Sequence, residues 1–312
     1  MLYQKQSQED EFIGVGEWLG SDFSSLRHED VSDGNVGVSP SDVLFIPELF
    51  ANVMTSTKSL PCKRVVIMQN FDNVVDQTPF AAQWGDFGIF DVVCNTHQSE
   101  EKIKDVFPYL NTTVIEPYIG TVFGETSEPK KLVVNVIARD KSDVNKIVKS
   151  FYWKNPSLRW VSFRDLRGFS QEEYASMLRE GIVTVWVDDY ASFGYGALEA
   201  IKSGSVVVAK VPSEPQPWVI SDDGETLSDA SIWFEDYMGL PSMLASIITA
   251  WMSDKMPSDV MEKGKEIANK YTLENTSKNF LEYLNNILTK RKSEINELMV
   301  NVKNNKEEEK QE

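Results

Sequence analysis

Two kinds of residue are scarce in this chain of 312 residues, and each scarcity excludes a class of function. The two cysteines, Cys62 and Cys94, lie far apart with no CxxC pair and no histidine cluster, which gives little support to a zinc site or a disulfide framework. Basic residues are outnumbered, with 31 Lys and Arg against 48 Asp and Glu and a formal charge of -17. Such a charge repels phosphate polymers, so we expect no nucleic-acid partner.

Long hydrophobic runs are also missing. No uncharged apolar stretch reaches the roughly 18 residues that indicate a membrane span, and the amino terminus MLYQKQSQEDEF is polar and acidic where a signal peptide is basic and then apolar. Residues 1–128 hold 7 Lys and Arg against 20 Asp and Glu, a formal charge of about -13. We therefore expect no stable contact with an anionic membrane and a cytoplasmic location, where thiols stay reduced.

What the chain does contain is a series of short runs rich in Val and Ile. Continuous runs of this kind, rather than strict alternation, are typical of strands buried on both faces of a parallel sheet. Eight such strands are predicted, namely DVLFIPE (42–48), RVVIMQN (64–70), FDVVCNT (90–96), TTVIEP (112–117), LVVNVIAR (132–139), LRWVSF (158–163), GIVTVWVDD (181–189) and GSVVVAKV (204–211).

Stretches with helical spacing separate many of these strands, among them SEEKIKDVF, SDVNKIVKSFYW and SQEEYASMLRE, whose Ser170 and Glu173 have the spacing of a capping box. Strand and helix in repeated alternation predict a doubly wound α/β architecture. The polar segment GETSEPKK (124–131) is the predicted boundary between two domains, and the chain becomes helical after about residue 240. Leucines near helical spacing after Leu273 predict a helix that packs within the chain.

One string, SFGYGALEAIKSG (192–204), carries the strongest chemical signal. A buried strand ends in acidic residues, a turn with Gly194 and Gly196 follows, and a helix with Glu199 begins there. In open α/β sheets ligands sit beyond the carboxyl ends of strands, where glycines let the backbone approach a phosphate at a helix start. The pattern favours a nucleotide site, although the same glycines also suit a simple tight turn.

The wider string resembles the donor-site signature of the family 4-like retaining glycosyltransferases of the GT-B fold. Phe193, Gly194, Leu198, Glu199, Ala200, Gly204 and Val207 fall on that signature. The resemblance implies that Glu199 accepts hydrogen bonds from the ribose of a nucleotide-sugar, with Ser192, Phe193, Gly194 and Tyr195 lining the donor site and no further cofactor or metal required. One departure stands out, because Ala191 occupies the place of the family's first glutamate.

The similarity extends along residues 42–290. In the family, basic residues at the end of the first strand of the donor domain bind the diphosphate of the donor. Arg139 and Lys141 match these residues and are the catalytic candidates. Asp188 and Asp189, at the end of the strand before the signature, are alternative candidates to take over from the missing glutamate, and Asp189 is the catalytic candidate. In the amino-terminal half, Asn70, Asp72 and His97 follow strands and are candidates for acceptor binding, whereas capping of a helix explains the same polar residues equally well.

The resemblance implies two Rossmann-like domains, the first of them reduced, and a helical carboxyl-terminal segment. We expect frayed residues at 1–12, the acceptor domain at 13–128, the nucleotide-sugar donor domain at 129–272, a helix at 273–298 and a charged tail at 299–312. GVGEWLG (14–20) is either a vestige of a glycine-rich loop or an ordinary loop.

Three functions are compatible with these features. The first is a glycosyltransferase, hexosyltransferase-like and acting in glycan biosynthesis, that moves a sugar with retention from a nucleotide-sugar to an unknown glycan, protein or small-molecule acceptor. The second, favoured by Ala191 and the short front half, is a catalytically silent module that binds a nucleotide-sugar or a glycan. The third is another enzyme on the same double fold, such as a sugar-nucleotide epimerase, for which we find no acid and base pair.

Overall fold

The computed structural model describes residues 37–127, 129–221 and 223–308, together with two short parallel strands, β1 (Leu2–Tyr3) and β2 (Glu29–Asp30). Side chains are described as far as residue 297. The string GVGEWLG and the predicted frayed end at 4–12 lie outside these residues. The described chain divides into two compact units, an amino-terminal unit of residues 37–117 that also includes residues from Leu273 onward, and a carboxyl-terminal unit of Tyr118–Thr272 that also includes β1 and β2.

The carboxyl-terminal unit is built on a parallel sheet of five strands in the order β11-β10-β9-β7-β8. The strands are β7 (Lys131–Ala138), β8 (Ser162–Asp165), β9 (Gly181–Val187), β10 (Val206–Lys210) and β11 (Ile232–Phe234). Every residue of β9 is buried, which agrees with its run of apolar and β-branched side chains. The chain leaves β7 toward β8 on one side and leaves β9 toward β10 on the other, so the sheet has a topological switch point between β7 and β9.

Helices cover both faces of this sheet. Helices α4 (Lys141–Lys154) and α7 (Leu240–Met252) pack on one face, and α5 (Gln171–Glu180), α6 (Tyr195–Lys202) and α8 (Ser258–Ala268) pack on the other. Polar residues fix the helix starts: the Asp140 carboxylate accepts from the Ser142 amide at 2.7 Å, and Ser170 and Glu173 form the capping box that the sequence predicts.

The amino-terminal unit contains a second parallel sheet, with the strands in chain order. They are β3 (Val43–Pro47), β4 (Lys63–Met68), β5 (Asp91–Cys94) and β6 (Asn111–Val114). Helices α1 (Ala51–Ser56), α2 (Phe71–Gln77) and α3 (His97–Val106) contribute Met54, Val74 and Ile103 to the core on one face of the sheet.

The other face of that sheet is covered by the long helix α9 (Leu273–Glu308). Phe280, Tyr283 and Ile287 pack with Val65 and Val93, and the Phe45 and Phe280 rings lie 5.4 Å apart. The leucine spacing in the sequence points to another face of the helix, yet Leu281 and Leu288 are 57% and 39% exposed. The packing face is thus aromatic and β-branched rather than leucine-rich.

The structure divides the chain earlier than the sequence suggests, at Pro117 rather than within GETSEPKK. Residues after the division belong to the carboxyl-terminal unit because Ile119 and Phe123 are buried in its core. The polar segment itself is anchored there, since the Lys130 ammonium donates to the carbonyl oxygens of Arg179, Gly181 and Ser203 at 3.0 to 3.2 Å. The polar composition of GETSEPKK therefore reflects a position on the surface of the carboxyl-terminal unit and not the boundary between the units.

Two other boundaries differ from the prediction. Helix α9 continues to Glu308, through most of the predicted charged tail, because residues 273–308 contain no Gly or Pro and extending a helix costs less than starting one. Strand β8 begins at Ser162, later than the apolar run LRWVSF, because Trp160 is exposed and precedes the pairing with β7. None of the helices in the described part of the chain combines the length and the apolarity that crossing a membrane requires.

Candidate functional site

The strongest candidate site lies at the carboxyl edge of the five-stranded sheet, where its topological switch point falls. The segments that follow β7 and β9 come from neighbouring strands and continue to helices on opposite faces, α4 and α6. Separation of this kind opens a crevice beyond the strand ends, which is the usual ligand position in open α/β sheets. Among the predicted residues, Arg139, Lys141, Asp189 and the segment 192–199 all belong to these strand ends and helix starts.

Charged side chains at the strand ends are held in pairs. Arg139 Nε lies 2.7 Å from Asp188 Oδ1, and the guanidinium lies 6.0 Å from the centre of the Tyr190 ring. The Arg139 side chain is still 59% exposed, so these contacts orient it without removing it from solvent. Lys210 Nζ lies 2.6 Å from Asp189 Oδ2. Each of the two aspartates therefore has a cation beside it, and Lys210 is a site residue that the sequence analysis missed.

Lys141 is the first residue of α4 and is exposed. The residue before it, Asp140, caps the helix, and its bonds to Ser142 lower the pKa of the Asp140 carboxyl. The structure thus places Lys141 at a helix start that follows β7 and Arg139.

The turn after β9 is fixed by an aromatic layer beneath it. Gly194 has φ of +79° and caps α6, and a Cβ there would lie 3.1 Å from Trp218 and 3.3 Å from Trp186. The Trp218 indole donates to the Phe193 carbonyl at 2.6 Å. Phe193 itself is 1% exposed and packs against Tyr271, so its side chain supports the turn from the core. Glycine is required at 194 both by its backbone angle and by the ring below it.

The backbone at Ala191 is held from the same side. The Gln216 amide donates to the Ala191 carbonyl and, at 3.3 Å, to the Glu214 carbonyl, and Gln216 is 1% exposed. Gln216 and Trp218, which both lie in the loop after β10, thus hold the backbone of the segment Ala191–Gly194 by hydrogen bonds. The sequence analysis did not single them out, although the string VPSEPQPWV that contains them follows the signature strand.

Glu199 lies in α6, in a partly buried position surrounded by tyrosines. The Tyr174 hydroxyl on α5 donates a hydrogen bond to its carboxylate, and burial raises the pKa of Glu199 to about 7 while that bond opposes the rise. Burial and the charge of Glu199 raise the pKa of Tyr195, which is 42% exposed. A carboxylate that is half-desolvated in this way is a strong acceptor for hydroxyl donors.

The predicted acceptor residues lie at the carboxyl edge of the other sheet, after β4 and β5. Asn70 caps α2 by accepting from the Asp72 amide at 3.0 Å, and Asp72 is exposed. His97 is the first residue of α3, is 76% exposed, and its Nδ1 lies 3.4 Å from Glu100 Oε2. Asn70 therefore has the capping role that the sequence left open, and Asp72 and His97 keep exposed side chains at this edge of the sheet.

Glu48 at the end of β3 is a polar residue of this edge that the sequence analysis missed. It is 1% exposed, and its Oε1 accepts from the Asn70 amide at 3.1 Å and from Asn73 Nδ2 at 2.9 Å. Its Oε2 has no hydrogen-bond partner among the described residues. Glu48 fixes the loop that carries Asn70. Among the described residues, there is no group of three His, Cys, Asp or Glu side chains that could hold a metal ion.

No protein-family model matches the chain. A curated relative, an alpha-1,6-glucosyltransferase of Actinobacillus pleuropneumoniae serotype 7, is 20% identical over 180 residues, which cover 54% of this chain and 53% of the relative. The chain thus matches about half the length of that relative.

Solved structures with a similar fold are glycosyltransferases. The pneumococcal O-GlcNAc transferase GtfA, solved in complex with UDP and GlcNAc, has a TM-score of 0.54 at 13% identity, covering 81% of this chain and 57% of its own. Sucrose-phosphate synthase from Thermosynechococcus elongatus has a TM-score of 0.60 at 12% identity, covering 79% and 74%. The chain therefore has the GT-B fold, with two Rossmann-like units and a helical carboxyl-terminal segment.

Proposed function

We propose that this protein is a glycosyltransferase that moves a sugar from a nucleotide-sugar donor to an acceptor, with retention at the sugar carbon. The observation that carries the proposal is Glu199, a partly buried carboxylate beside the glycine turn of α6 at the switch point of a GT-B donor-side sheet. The names of the relatives, an alpha-1,6-glucosyltransferase and a transferase in complex with UDP and GlcNAc, support the same reaction class. The proposed setting is the cytoplasm, in glycan biosynthesis.

In this proposal the donor binds along the segment 192–199. The Glu199 carboxylate accepts hydrogen bonds from the ribose hydroxyls, and Ser192 and Tyr195 line the site. The diphosphate lies at the start of α6, where Gly194 caps the helix without a side-chain hydrogen bond and the amino-terminal end of the helix dipole favours an anion.

Charge stabilisation is the chemistry that the site supplies. The exposed guanidinium of Arg139 and the ammonium of Lys141 neutralise the negative charge that develops on the departing nucleoside diphosphate. Asp189, held by Lys210, is the carboxylate nearest in sequence to Ala191 and takes the sugar-side role of the missing glutamate. Asn70, Asp72 and His97 bind the acceptor. Such catalysis rests on positioning and electrostatics, and no separate cofactor takes part.

A catalytically silent module that binds a nucleotide-sugar or glycan is the second candidate. Ala191 favours it, because alanine offers no carboxylate at the sugar, and both nearby aspartates are already paired with cations. The two candidates share the donor site and differ only in turnover.

Turnover of a panel of nucleotide-sugars separates the two candidates. The chain is incubated with UDP-glucose, UDP-GlcNAc and their GDP and ADP counterparts, and release of the nucleoside diphosphate is followed by mass spectrometry, alongside a thermal-shift screen with free nucleotides. Hydrolysis or transfer from one donor supports the enzyme. Binding without release supports the silent module, and a chain that neither binds nor turns over any of them contradicts both.

A further inference from the structure

Tyr174 on α5 is a buried tyrosine whose hydroxyl faces the proposed donor site. It is 7% exposed, and its hydroxyl donates to the Glu199 carboxylate on α6. Its ring packs edge-on against Phe123, with centroids 6.0 Å apart and planes at 85°. A Cβ at position 196 would lie 3.3 Å from the Tyr174 hydroxyl oxygen and 3.2 Å from the Ile137 side chain, so Gly196 leaves space for the hydroxyl beside α6.

The hydroxyl can act in one direction only. Burial, followed by the charge of Glu199, raises the pKa of Tyr174 well above its ordinary value, so the phenol keeps its proton and donates. A glutamate on a helix otherwise samples several rotamers, and a donor fixed by core packing restricts that freedom before a ligand arrives. The arrangement therefore preorganises a carboxylate.

We propose that Tyr174 is a positioning residue of the donor site, which orients the Glu199 carboxylate by a hydrogen bond so that its remaining lone pairs accept the ribose hydroxyls of the nucleotide-sugar. This inference rests on the proposed function. Tyr174 acts through Glu199 and does not itself touch the donor.

The bond also controls the charge of Glu199. Burial raises the pKa of Glu199 to about 7 and the Tyr174 hydroxyl lowers it, so loss of the hydroxyl moves that pKa further up. Because the carboxylate is the form that accepts two hydroxyl donors, a higher pKa shifts the onset of donor binding to higher pH. UDP-glucose is a suitable probe, since its pyrophosphate diester does not titrate in this range.

Tyr174→Phe removes the hydroxyl and keeps the ring. The pKa of Glu199 is read by carbon-13 NMR of its carboxyl, assigned by the loss of the signal in Glu199→Gln, and the Kd for UDP-glucose is measured from pH 6 to pH 9. We expect the titration midpoint to rise by about 0.5 to 1 pH unit. The lower ionised fraction alone weakens binding at pH 7 by about 2- to 6-fold, and at pH 9, where the carboxylate is ionised in both proteins, only the smaller loss from the missing orientation remains. Tyr152→Phe is the matched control, because the Tyr152 hydroxyl donates to the Val161 carbonyl on the other face of the sheet.

A second variant distinguishes an effect that acts through Glu199 from a general loss of folding in Tyr174→Phe. In a chain that carries Glu199→Ala, adding Tyr174→Phe should change the UDP-glucose affinity by less than about twofold, because the side chain through which Tyr174 acts is gone. An unchanged midpoint and unchanged affinity in Tyr174→Phe overturn the role of Tyr174 alone. An affinity loss that is equal at every pH or that persists in the Glu199→Ala background overturns it as well. A wild-type chain that does not bind UDP-glucose at any pH overturns the proposed donor site together with this inference.

Discussion

At Glu199, the stability of the fold favours the protonated carboxyl, whereas the proposed donor binding requires the ionised form. Its pKa is about 7 in the folded chain against an ordinary 4.5, because burial penalises the charged form. Between these two values the folded chain keeps a proton that the unfolded chain has released, so this residue lowers stability as pH rises from about 4.5 to about 7. Such a loss of stability is typical of functional residues, and it agrees with the proposed role of the Glu199 carboxylate in donor binding.

The Glu199→Gln variant measures how much the charge of Glu199 lowers the stability of the fold. Glutamine keeps the shape and an acceptor for Tyr174 but carries no charge, so we expect Tm to rise at pH 8, where the gain is about 1 to 2 kcal/mol, and to rise by only about a quarter as much at pH 5. Differential scanning calorimetry at both pH values measures this. Glu262→Gln, at an exposed position of α8, is the control and should change neither value. An equal gain at both pH values contradicts a raised pKa.

At the scale of the secondary-structure elements, the turn that begins α6 depends on a single glycine. Both its left-handed backbone and the tryptophan rings beneath it exclude a side chain.

Gly194→Ala and Gly168→Ala separate those two causes, since both glycines have φ of +79° and a Cβ at 168 meets nothing within 4 Å. We expect a loss of about 1 kcal/mol for Gly168→Ala, from backbone strain alone, and of about 2 to 4 kcal/mol for Gly194→Ala, where Trp218 must also move. Urea unfolding followed by tryptophan fluorescence gives both values. Equal losses contradict the contact with the tryptophan layer.

Helix α9 offers a second comparison within one element. Ile287 is 6% exposed and packs on the sheet of the amino-terminal unit, whereas Leu288 is 39% exposed. Ile287→Ala should cost about 2 to 4 kcal/mol in that unit, and Leu288→Ala less than about 1 kcal/mol. Urea unfolding measures both. If Leu288→Ala is the more costly, the helix packs through its leucine face and the observed packing is wrong.

The elements also show how far the sequence predicts this fold. All eight predicted strands are present because runs such as Val183–Val187 have no alternative to a fully buried strand. The strand β11 was missed, since Ile232–Phe234 is three residues long and occupies a sheet edge. The packing face of α9 was missed because leucine spacing alone cannot show that Phe280 and Ile287 meet an aromatic and valine surface.

On the scale of the whole molecule, two compact units with parallel sheets account for the chain, and the last helix returns to the first unit. The likeness to solved glycosyltransferase structures shows the GT-B fold. The string 192–204, which resembles the donor signature, begins at the carboxyl edge of the five-stranded sheet, where the topological switch point falls. Sequence could locate Glu199 and Gly194 because local motifs encode them. Tyr174, Trp218 and Gln216 come from distant segments, so only the three-dimensional fold shows that they surround the motif.

Calorimetric titration of UDP-glucose at pH 8 into the wild type and into Glu199→Ala tests the donor site most directly. The carboxylate is largely ionised at this pH, and in the proposed site each charge-assisted hydrogen bond to the ribose would contribute about 1.5 to 3 kcal/mol. We predict that the alanine variant binds at least about tenfold more weakly, with Glu262→Ala unchanged. An affinity in Glu199→Ala equal to that of the wild type contradicts the placement of the nucleotide-sugar at Glu199.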